Sequence, residues 1–469
     1  MALNDVSDLT WIDHETAACE FPDERLTKRC CHLLEQLGQA IGQGIPTACQ
    51  NWASTKAAYR FFSNSRVSEV AILSGHREAT KARALATTDK ILIAHDSTSY
   101  AYSRGEVNQI GMSEPYTAAE IHAHNAFVMT PDGVPLGIIG VKFWTRELFE
   151  GADTLEKELE LTRISPDDKE SARWLDLLEQ STSFIGQPGR CVHIGDRESD
   201  MYEFFCVAKE QDTHFLIRTN TDRLAGDGTR TVFEVMAKEK VKARYSIEVK
   251  DKRGNVGEAT IEIKFKKMII HPPTNKKKLP PIEVTVIHAT EVGTPKNRDA
   301  IHWELVTDLP VRSRHDVFQM IRWYALRWKI EVFHKTMKSY GCNVERSKLQ
   351  TSERLVNFIA LFYIIGWRIF WLAMLNREHP NASPEIALTA SEIEILDLIV
   401  PDKKEPKRRT VSHYIIKIAR LGGYLARAND RPPGNLVVSR GLTRLAAMVC
   451  AVTALLQLFG ADLISQICG

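Results

Sequence analysis

The chain has 469 residues, of which 44% are hydrophobic and 26% are charged. This length predicts two or three domains, and the composition excludes both a disordered chain and a polytopic membrane protein. Because 61 Lys and Arg balance 59 Asp and Glu to a formal net charge of +2, any affinity for nucleic acid must come from local patches.

The cysteines and the first residues predict a location inside the cell. The nine cysteines are scattered, and they show neither a Cys-x-x-Cys pair nor the spacing of a zinc site. A reduced, cytoplasmic chain is therefore expected. The first fifteen residues, MALNDVSDLTWIDHE, are acidic and lack the apolar segment of a secretory signal.

Residues 1–70 are predicted to be helical. The segment RLTKRCCHLLEQLGQAIG carries apolar residues at helical spacing, and Gly44 and Pro46 follow it as helix breakers. Next, NWASTKAAYRFFSNSRVS interleaves Lys56 and Arg60 with aromatic residues. This mixture favours a helical DNA-binding unit. An ordinary amphipathic helix with a solvated basic face is the alternative from this segment alone.

From about residue 90 the hydrophobic pattern becomes that of strands. KILIAH predicts a buried strand that ends at Asp96, and HNAFVMT and VPLGIIGVKFW predict a hairpin around Asp132 and Gly133. Polar helices are predicted over 154–163 and 168–180. RCVHIG then predicts a second buried strand that ends at Asp196, followed by the helix MYEFFCVAKE and the strand HFLIRT.

Residues 213–311 are predicted to form an all-β insertion, and the chain is predicted to be helical from 312 onward. The apolar stretch 355–375 has the length of a membrane span. It contains Asn357 and Arg368, which are costly in lipid, so a buried core helix is expected. Residues 403–409 form a basic loop. The apolar helix 441–460 suits either a protein partner or packing within its own chain.

Three acidic residues stand where a fold can present them to a ligand: Asp96 and Asp196 after buried strands, and Glu331 on a helix. Carboxylates are the ligands that Mg²⁺ prefers, and two such ions can catalyse phosphodiester chemistry. Taken singly, either aspartate could instead be a turn or cap residue.

The helix WYALRWKIEVFHKTMKSY carries the most informative pattern. At about 100° per residue its charged residues share one face with a tyrosine, opposite an apolar core face. The members of the charged face are Tyr324, Arg327, Glu331, Lys335 and Lys338, and those of the core face are Leu326, Ile330, Phe333 and Met337. Such a face could hold a metal on its carboxylate and phosphates on its cations. Surface ion pairs at i,i+4 are the alternative.

At this point the sequence resembles bacterial cut-and-paste DDE transposases of the insertion-sequence type, which carry a Y-x2-R-x3-E-x6-K signature. Tyr324, Arg327, Glu331 and Lys338 match that spacing. AHDSTSYAY around Asp96 resembles the motif of the first catalytic aspartate, and GDRESDMYEF that of the second. AAYRFF and IARLGGYLAR are also similar to segments of the family, so the resemblance spans nearly the whole chain.

The resemblance implies an α/β fold with a ribonuclease H-like catalytic core over residues 71–380, interrupted by the β-strand insertion. Asp196 and Glu331 are 135 residues apart, which leaves room for such an insertion. The resemblance also implies a helical DNA-binding domain over residues 1–70 and a helical dimerisation domain over residues 381–469.

For the site, the resemblance implies that Asp96, Asp196 and Glu331 coordinate two Mg²⁺ or Mn²⁺ ions. Tyr324, Arg327 and Lys338 would then bind the phosphates of the transposon end. Trp303 matches by position a tryptophan that stacks on an unpaired base during hairpin formation, and Arg218 matches a DNA-contacting position.

The expected function is therefore a DNA transposase that binds terminal inverted repeats, cleaves the DNA, forms and resolves a hairpin, and transfers the end to target DNA. We expect it to act as a homodimer on double-stranded DNA, with no membrane and no small-molecule substrate. One alternative is a catalytically silent DNA-binding regulator of transposition. Another is a ribonuclease H-like repair nuclease.

Overall fold

The computed structural model of the chain describes residues 10–102, 119–145, 166–250, 256–402 and 408–468. The helix predicted over 154–163 and the first five residues of the predicted basic loop, 403–407, lie outside these ranges.

Residues 10–85 form helices, as the sequence predicts for the N-terminal part. Their bounds are α1 (Trp11–Thr16), α2 (Glu24–Gln39), α3 (Ile45–Cys49), α4 (Trp52–Phe62) and α5 (Glu69–Leu85). The N-caps of helices α2, α4 and α5 are Asp23, Asn51 and Ser68. Their side chains each accept a hydrogen bond from the first turn. Helix α5 runs across the domain boundary predicted at residue 70.

Eleven strands among the described residues form one sheet, in the order β3-β2-β1-β4-β5-β11-β10-β9-β6-β7, with β8 also paired to β9. Strands β1, β4 and β5 are parallel to one another, and the other pairs are antiparallel. The bounds are β1 (Ile91–Tyr102), β2 (Ala119–Met129), β3 (Pro135–Trp144), β4 (Cys191–Gly195), β5 (His214–Arg218), β6 (Leu224–Ala225), β7 (Arg230–Thr231), β8 (Ala243–Lys250), β9 (Val256–Ile270), β10 (Ile282–Glu291) and β11 (His302–Thr307).

The first strand differs from its prediction. It does not end at Asp96 but continues to Tyr102, because β2 remains paired with it along this whole length. The hairpin of β2 and β3 is confirmed. Its turn holds Gly133 at a φ of +93°, which favours glycine.

The segment predicted as an all-β insertion contains a helix, α8 (Val232–Ala237). The side chain of Thr231 and that of Glu234 cap its first turn reciprocally, and this capping box offsets the strand-like composition around it. The strands of the segment also continue the central sheet, because β11 pairs with β5.

Helices cover both faces of the first five strands. Helices α6 (Pro166–Ile185) and α7 (Tyr202–Glu210) pack on one face, where Ile91 and Ile93 lie in a common apolar cluster with Leu177. On the other face, Leu92 and Ala94 join the largest core cluster, together with the helices that follow the insertion. Because side chains alternate along a strand, Asp96 lies on the same face of β1 as Leu92 and Ala94.

The helix predicted over 323–340 is divided in two. Helix α9 (Arg314–Leu326) ends and α10 (Trp328–Lys338) begins at Arg327, whose own backbone remains helical. Around it, hydrogen bonds run from Arg327 N to Tyr324 O and from Ile330 N to Arg327 O, which is a local 3₁₀ turn. The predicted core face of α10 is confirmed, because Ile330, Phe333 and Met337 are fully buried.

Helix α11 (Ser352–Glu378) is the predicted buried helix, and the structure confirms it as the core of the fold. It is one of two described helices that are long and apolar enough to cross a membrane, but 94% of its most apolar window is buried within the chain. Asn357 on this helix donates to the carbonyls of Phe62 and Val67 at 3.3 and 3.2 Å. Arg368 pairs with Glu392 at 3.1 Å.

The remaining helices are α12 (Ala390–Ile399), α13 (Val411–Leu421) and α14 (Asn435–Cys468). The second candidate span, Asn435–Leu456, belongs to α14, and only 28% of its apolar window is buried. The partner predicted for this helix stays a prediction, although the exposure leaves room for one.

A buried cluster of charges joins the N-terminal helices to the sheet. The carboxylate of Glu15 on α1 pairs with His76 and with Arg83, both on α5. In turn, Ile138 N donates to His76 Nε2 at 3.1 Å, and Arg83 Nε donates to Leu136 O at 2.7 Å. The cluster therefore fixes α1 and α5 against strand β3.

Candidate active site

Asp96 and Asp196 lie at equivalent positions along the neighbouring parallel strands β1 and β4, Asp96 within β1 and Asp196 directly after the end of β4. The last paired residues of these strands are Ala94 and Ile194, and each aspartate follows two residues later. Beyond this point β1 continues along β2, whereas the chain after β4 turns into a short 3₁₀ helix, Arg197–Ser199. The two strands separate there, so both carboxylates stand at an opening in the sheet.

The loop that carries Asp196 is held by its own side chain and by Asp200. Asp196 Oδ1 accepts a hydrogen bond from Glu198 N at 2.9 Å, as an N-cap does. The buried Asp200 carboxylate pairs with Arg223 at 2.7 Å and accepts from the Thr219 hydroxyl at 2.7 Å. These bonds fix the second acidic motif against the loop that follows β5.

Arg327 lies between Asp96 and Glu331. Its Nη2 donates to Glu331 Oε1 at 2.7 Å, and its Nη1 lies 3.9 Å from Asp96 Oδ1. The arginine is only 7% exposed. A single cation thus draws the carboxylate of α10 towards the carboxylate of β1.

The environment of Asp96 disfavours its charge. Burial raises the pKa of its carboxyl to about 7, the Arg327 guanidinium opposes this shift, and the negative charges of Glu331 and Asp196 add to it. A carboxylate crowded by like charges gains from a divalent cation.

Helix α10 is braced where it begins. The half-buried Lys329 donates through its ammonium to Gly133 O at 2.8 Å and to Glu378 Oε1 at 2.7 Å. These contacts tie the first turn of α10 to the β2–β3 turn and to the last turn of α11. Because Glu331 follows two residues later, these contacts hold the segment of α10 that carries this carboxylate.

His334 and Asn125 line the inner side of the site. His334 Nδ1 lies 3.5 Å from Asp96 Oδ2, and Asn125 Nδ2 donates to His334 Nε2 at 2.9 Å. Burial lowers the pKa of His334 to about 3, and the charges of Lys338 and Arg327 lower it further. The ring is therefore neutral at ordinary pH.

Tyr324, Trp303 and Arg218 meet on the side of Asp196. The rings of Trp303 and Tyr324 pack edge to face with centroids 5.2 Å apart, and Arg218 Nη2 donates to His302 O at 2.9 Å. Burial raises the pKa of the Tyr324 hydroxyl, the guanidiniums of Arg327 and Arg218 oppose this shift, and the charge of Asp196 adds to it. Three separately predicted residues thus share one wall of the site.

The remaining cations of α10 point along the outer part of its charged face. Lys338 Nζ lies 5.7 Å from the centre of the Tyr100 ring, and Lys335 Nζ lies 4.7 Å from that of Tyr340. Trp328, which the sequence interpretation missed, is 62% exposed. It lies about 40° from Tyr324 at 100° per residue, so the helical projection could have found it.

Lys56 and Arg60 line a separate basic groove of about 640 Å³. Its other wall contains Lys348 and Arg354, which lie just before and within the first turn of α11. Tyr59 adds an aromatic face to this groove. The two missed cations are remote in sequence from Lys56, so no local pattern could have joined them to it.

A tight cluster of possible metal ligands lies elsewhere. Among the described residues, Asp397, Asp402 and His413 bring their ligand atoms within 4.8 Å of one another. Lys417 Nζ lies 2.6 Å from Asp397 Oδ1 and 2.9 Å from Asp402 Oδ2, so an ammonium already neutralises this cluster. The acidic residues around Arg327 are spaced more widely than this.

Residues 8–67 match the family model described as transposase DNA-binding. The match covers helices α1 to α4 and includes Lys56 and Arg60. It supports a transposase that binds DNA. The basic groove thus belongs in part to the transposase DNA-binding segment, and the acidic opening in the sheet lies outside it.

Proposed function

We propose that this transposase is of the DDE type, and that Asp96, Asp196 and Glu331 form its catalytic centre. The observation that carries the proposal is the equivalent position of the two aspartates at the end of the β1–β4 pairing, with Glu331 drawn towards them by Arg327. The five strands β1 to β5 with α10 would then be the ribonuclease H-like core.

The residues around this opening fit divalent cations by their chemistry. They offer carboxylate oxygens, which Mg²⁺ and Mn²⁺ prefer, and burial makes the Asp96 charge costly unless a cation accompanies it. When bound, two such ions would activate the attacking oxygen and neutralise the leaving one. The Arg327 guanidinium binds Glu331 through Oε1, so a cation would bind the other oxygen of this carboxylate or compete with Arg327 for the first.

The chain itself would supply the binding of the DNA end. Arg327, Lys335 and Lys338 present cations on one face of α10, and a guanidinium can bind a phosphate through two hydrogen bonds. Tyr324 beside Arg218 would contact a further phosphate. Trp303 and the exposed Trp328 offer ring faces for an unstacked base, which hairpin formation requires.

The basic groove would bind the terminal inverted repeat away from the scissile bond. Its four cations, Lys56, Arg60, Lys348 and Arg354, suit a phosphate backbone. Two protomers would pair, one for each end, with the exposed face of α14 as the contact. Cut-and-paste transposition of this kind would take place on the DNA in the bacterial cytoplasm.

The test is cleavage of DNA that carries the inverted repeats flanking the reading frame, with Mg²⁺ present. We expect Asp96→Asn, Asp196→Asn and Glu331→Gln each to abolish nicking while binding of the DNA is retained. Asp397→Asn, in the cluster held by Lys417, is the control and should cut normally. Normal cutting by any of the three variants would remove that residue from the centre.

A wild-type protein that binds the repeats but never nicks them would support the silent regulator instead. Cutting that does not depend on paired ends would support a repair nuclease.

A further inference from the structure

The side chain of His334 on α10 contacts two neighbouring residues of the sheet, Asp96 and Asn125. Asp96 and Asn125 are directly opposite each other on β1 and β2. His334, one turn after Glu331 on α10, contacts both of them, at 3.5 Å from Asp96 Oδ2 and 2.9 Å from Asn125 Nδ2. All three residues are at most 9% exposed.

The hydrogen bond from Asn125 decides which ring nitrogen of His334 carries the proton. An amide NH₂ group can only donate, so Nε2 must accept and cannot carry a hydrogen. The proton of the neutral ring is therefore on Nδ1, which faces Asp96. Asn125 thereby makes His334 a donor towards the carboxylate.

The direction of this donor leaves one carboxylate oxygen for other ligands. His334 faces Oδ2, whereas the shortest distance from Arg327 is to Oδ1. A contact of 3.5 Å is long for a hydrogen bond, but such contacts tighten when substrate and cofactor bind. A carboxylate held at Oδ2 keeps Oδ1, on the side of Arg327, for a cation.

We infer that His334, oriented by Asn125, is a positioning residue that fixes the Asp96 carboxylate for metal binding. This inference rests on the proposed function, since it assigns a role only if Asp96 is a metal ligand. Partners of this kind orient a ligand without touching the metal, and their loss typically lowers metal affinity or activity about 10–100-fold.

The experiment compares two replacements that differ in where they put a donor. Asn at position 334 places its amide nitrogen near the position of Nδ1, and Gln places it near that of Nε2. We expect His334→Asn to retain most of the Mn²⁺ affinity of the full-length protein and His334→Gln to lose about 10–100-fold. His334→Leu and Asn125→Leu, which delete the donor or its orienting group, should lose as much as Gln.

Two measurements are needed: calorimetric titration of Mn²⁺ into the protein without DNA, and the Mn²⁺ concentration that gives half-maximal cleavage of repeat DNA. His193→Leu is the control, because His193 is an equally buried histidine that contacts His95 and Thr182 on the opposite face of the sheet. It should lower the melting temperature but leave both Mn²⁺ values unchanged.

The outcomes separate the two proposals. If the wild type neither binds Mn²⁺ nor cuts, the proposed function fails. If the wild type does both and His334→Gln matches it, the positioning role is wrong and the proposed function stands. If the Leu variants do not fold, the contrast between Asn and Gln still decides. Equal losses in the Asn and Gln variants would also overturn the inference, because a packing role would not distinguish them.

Discussion

Arg327 and Glu331 are joined by a hydrogen bond of 2.7 Å across one turn at the start of α10. The same guanidinium lies 3.9 Å from Asp96, so it compensates two acidic groups at once. It is also the residue that we propose to bind a phosphate of the DNA end. Metal and phosphate binding are therefore expected to be coupled through this side chain. A bound cation reduces the negative charge around the guanidinium, and a bound phosphate increases it.

Replacing Arg327 by Gln tests this coupling through the pKa of Asp96. The guanidinium holds that pKa below the value that burial alone would give. Without it we expect the pH midpoint of Mn²⁺ binding to move upward by about one unit or more. Titrations of Mn²⁺ between pH 6 and 9 measure this. Arg322→Gln, an exposed arginine of the preceding helix, should leave the midpoint where it is.

The buried charge of Asp96 should cost stability at high pH. Its carboxyl has a pKa of about 7 in the folded chain against an ordinary value of 3.8. The cost is absent below the lower value, grows between the two, and is complete above the higher one. We expect Asp96→Asn to stabilise the metal-free protein by about 2–4 kcal/mol at pH 8 and by less than half of that at pH 5.

Thermal unfolding at the two pH values measures this difference. The exposed Asp299→Asn should change stability by less than about 0.5 kcal/mol at both. A loss of stability in Asp96→Asn at pH 8 would contradict the prediction.

The buried Glu15 cluster predicts the opposite dependence on pH. Burial alone would raise the pKa of Glu15, but His76 and Arg83 lower it to about 2. Its stabilising effect is therefore complete above the ordinary value of 4.5 and disappears as the pH falls towards 2. We expect Glu15→Gln to destabilise the protein by about 3–5 kcal/mol at pH 7, because the part-buried Arg83 guanidinium loses its carboxylate partner and the buried His76 loses its acceptor.

Chemical unfolding at pH 7 measures the loss. Glu24→Gln is the matched control, since Glu24 pairs with Lys28 on the surface, where both side chains are largely exposed. That change should cost less than about 1 kcal/mol. Similar losses in the two variants would argue against the anchoring role of Glu15.

The basic groove should contribute affinity for DNA without sequence preference. Each of Lys348→Ala and Arg354→Ala is expected to weaken binding of repeat and unrelated DNA alike, and to reduce the slope of log affinity against log salt by about one. Fluorescence anisotropy at several salt concentrations measures both. Lys28→Ala, an exposed lysine of α2 outside the groove, should leave the slope unchanged.

The two tryptophans beside the site should differ in what they contribute. Trp328→Ala should change stability by less than about 0.5 kcal/mol, because the ring is largely exposed. Trp303→Ala should destabilise the protein, because its ring packs on Tyr324. Both should reduce the fluorescence change of a 2-aminopurine placed at the end of the repeat, since each removes a face for stacking.

Local patterns predicted most of the strands, the hairpin and the buried helix α11, because burial on one or both sides leaves a clear hydrophobic period. The helical projection at 100° per residue also predicted that Arg327 and Glu331 share one face. The helix Val232–Ala237 was missed although Thr231 and Glu234 carry a capping signal. The continuation of β1 beyond Asp96 depends on pairing with β2, which a single segment does not reveal.

The contacts around the site could not be predicted from the sequence, because they join residues that are far apart along the chain. His334 meets Asn125 over a separation of 209 residues, and Arg223 meets Asp200 across an intervening helix and strand. The cations of the groove come from α4, from the residues just before α11 and from its first turn. Only the folded arrangement of sheet and helices brings such pairs together. Neither the composition nor the spacing of the residues predicts these contacts.

Helix α11 makes the DNA-binding segment inseparable from the rest of the chain. Asn357 satisfies the carbonyls of Phe62 and Val67, and Glu15 needs two partners on α5. A fragment cut at residue 70 would expose these groups to water and leave an apolar surface bare. If this segment binds the terminal repeats as proposed, specificity for a new repeat sequence would arise by substitutions on the outer face of α4, and not by exchange of the whole segment.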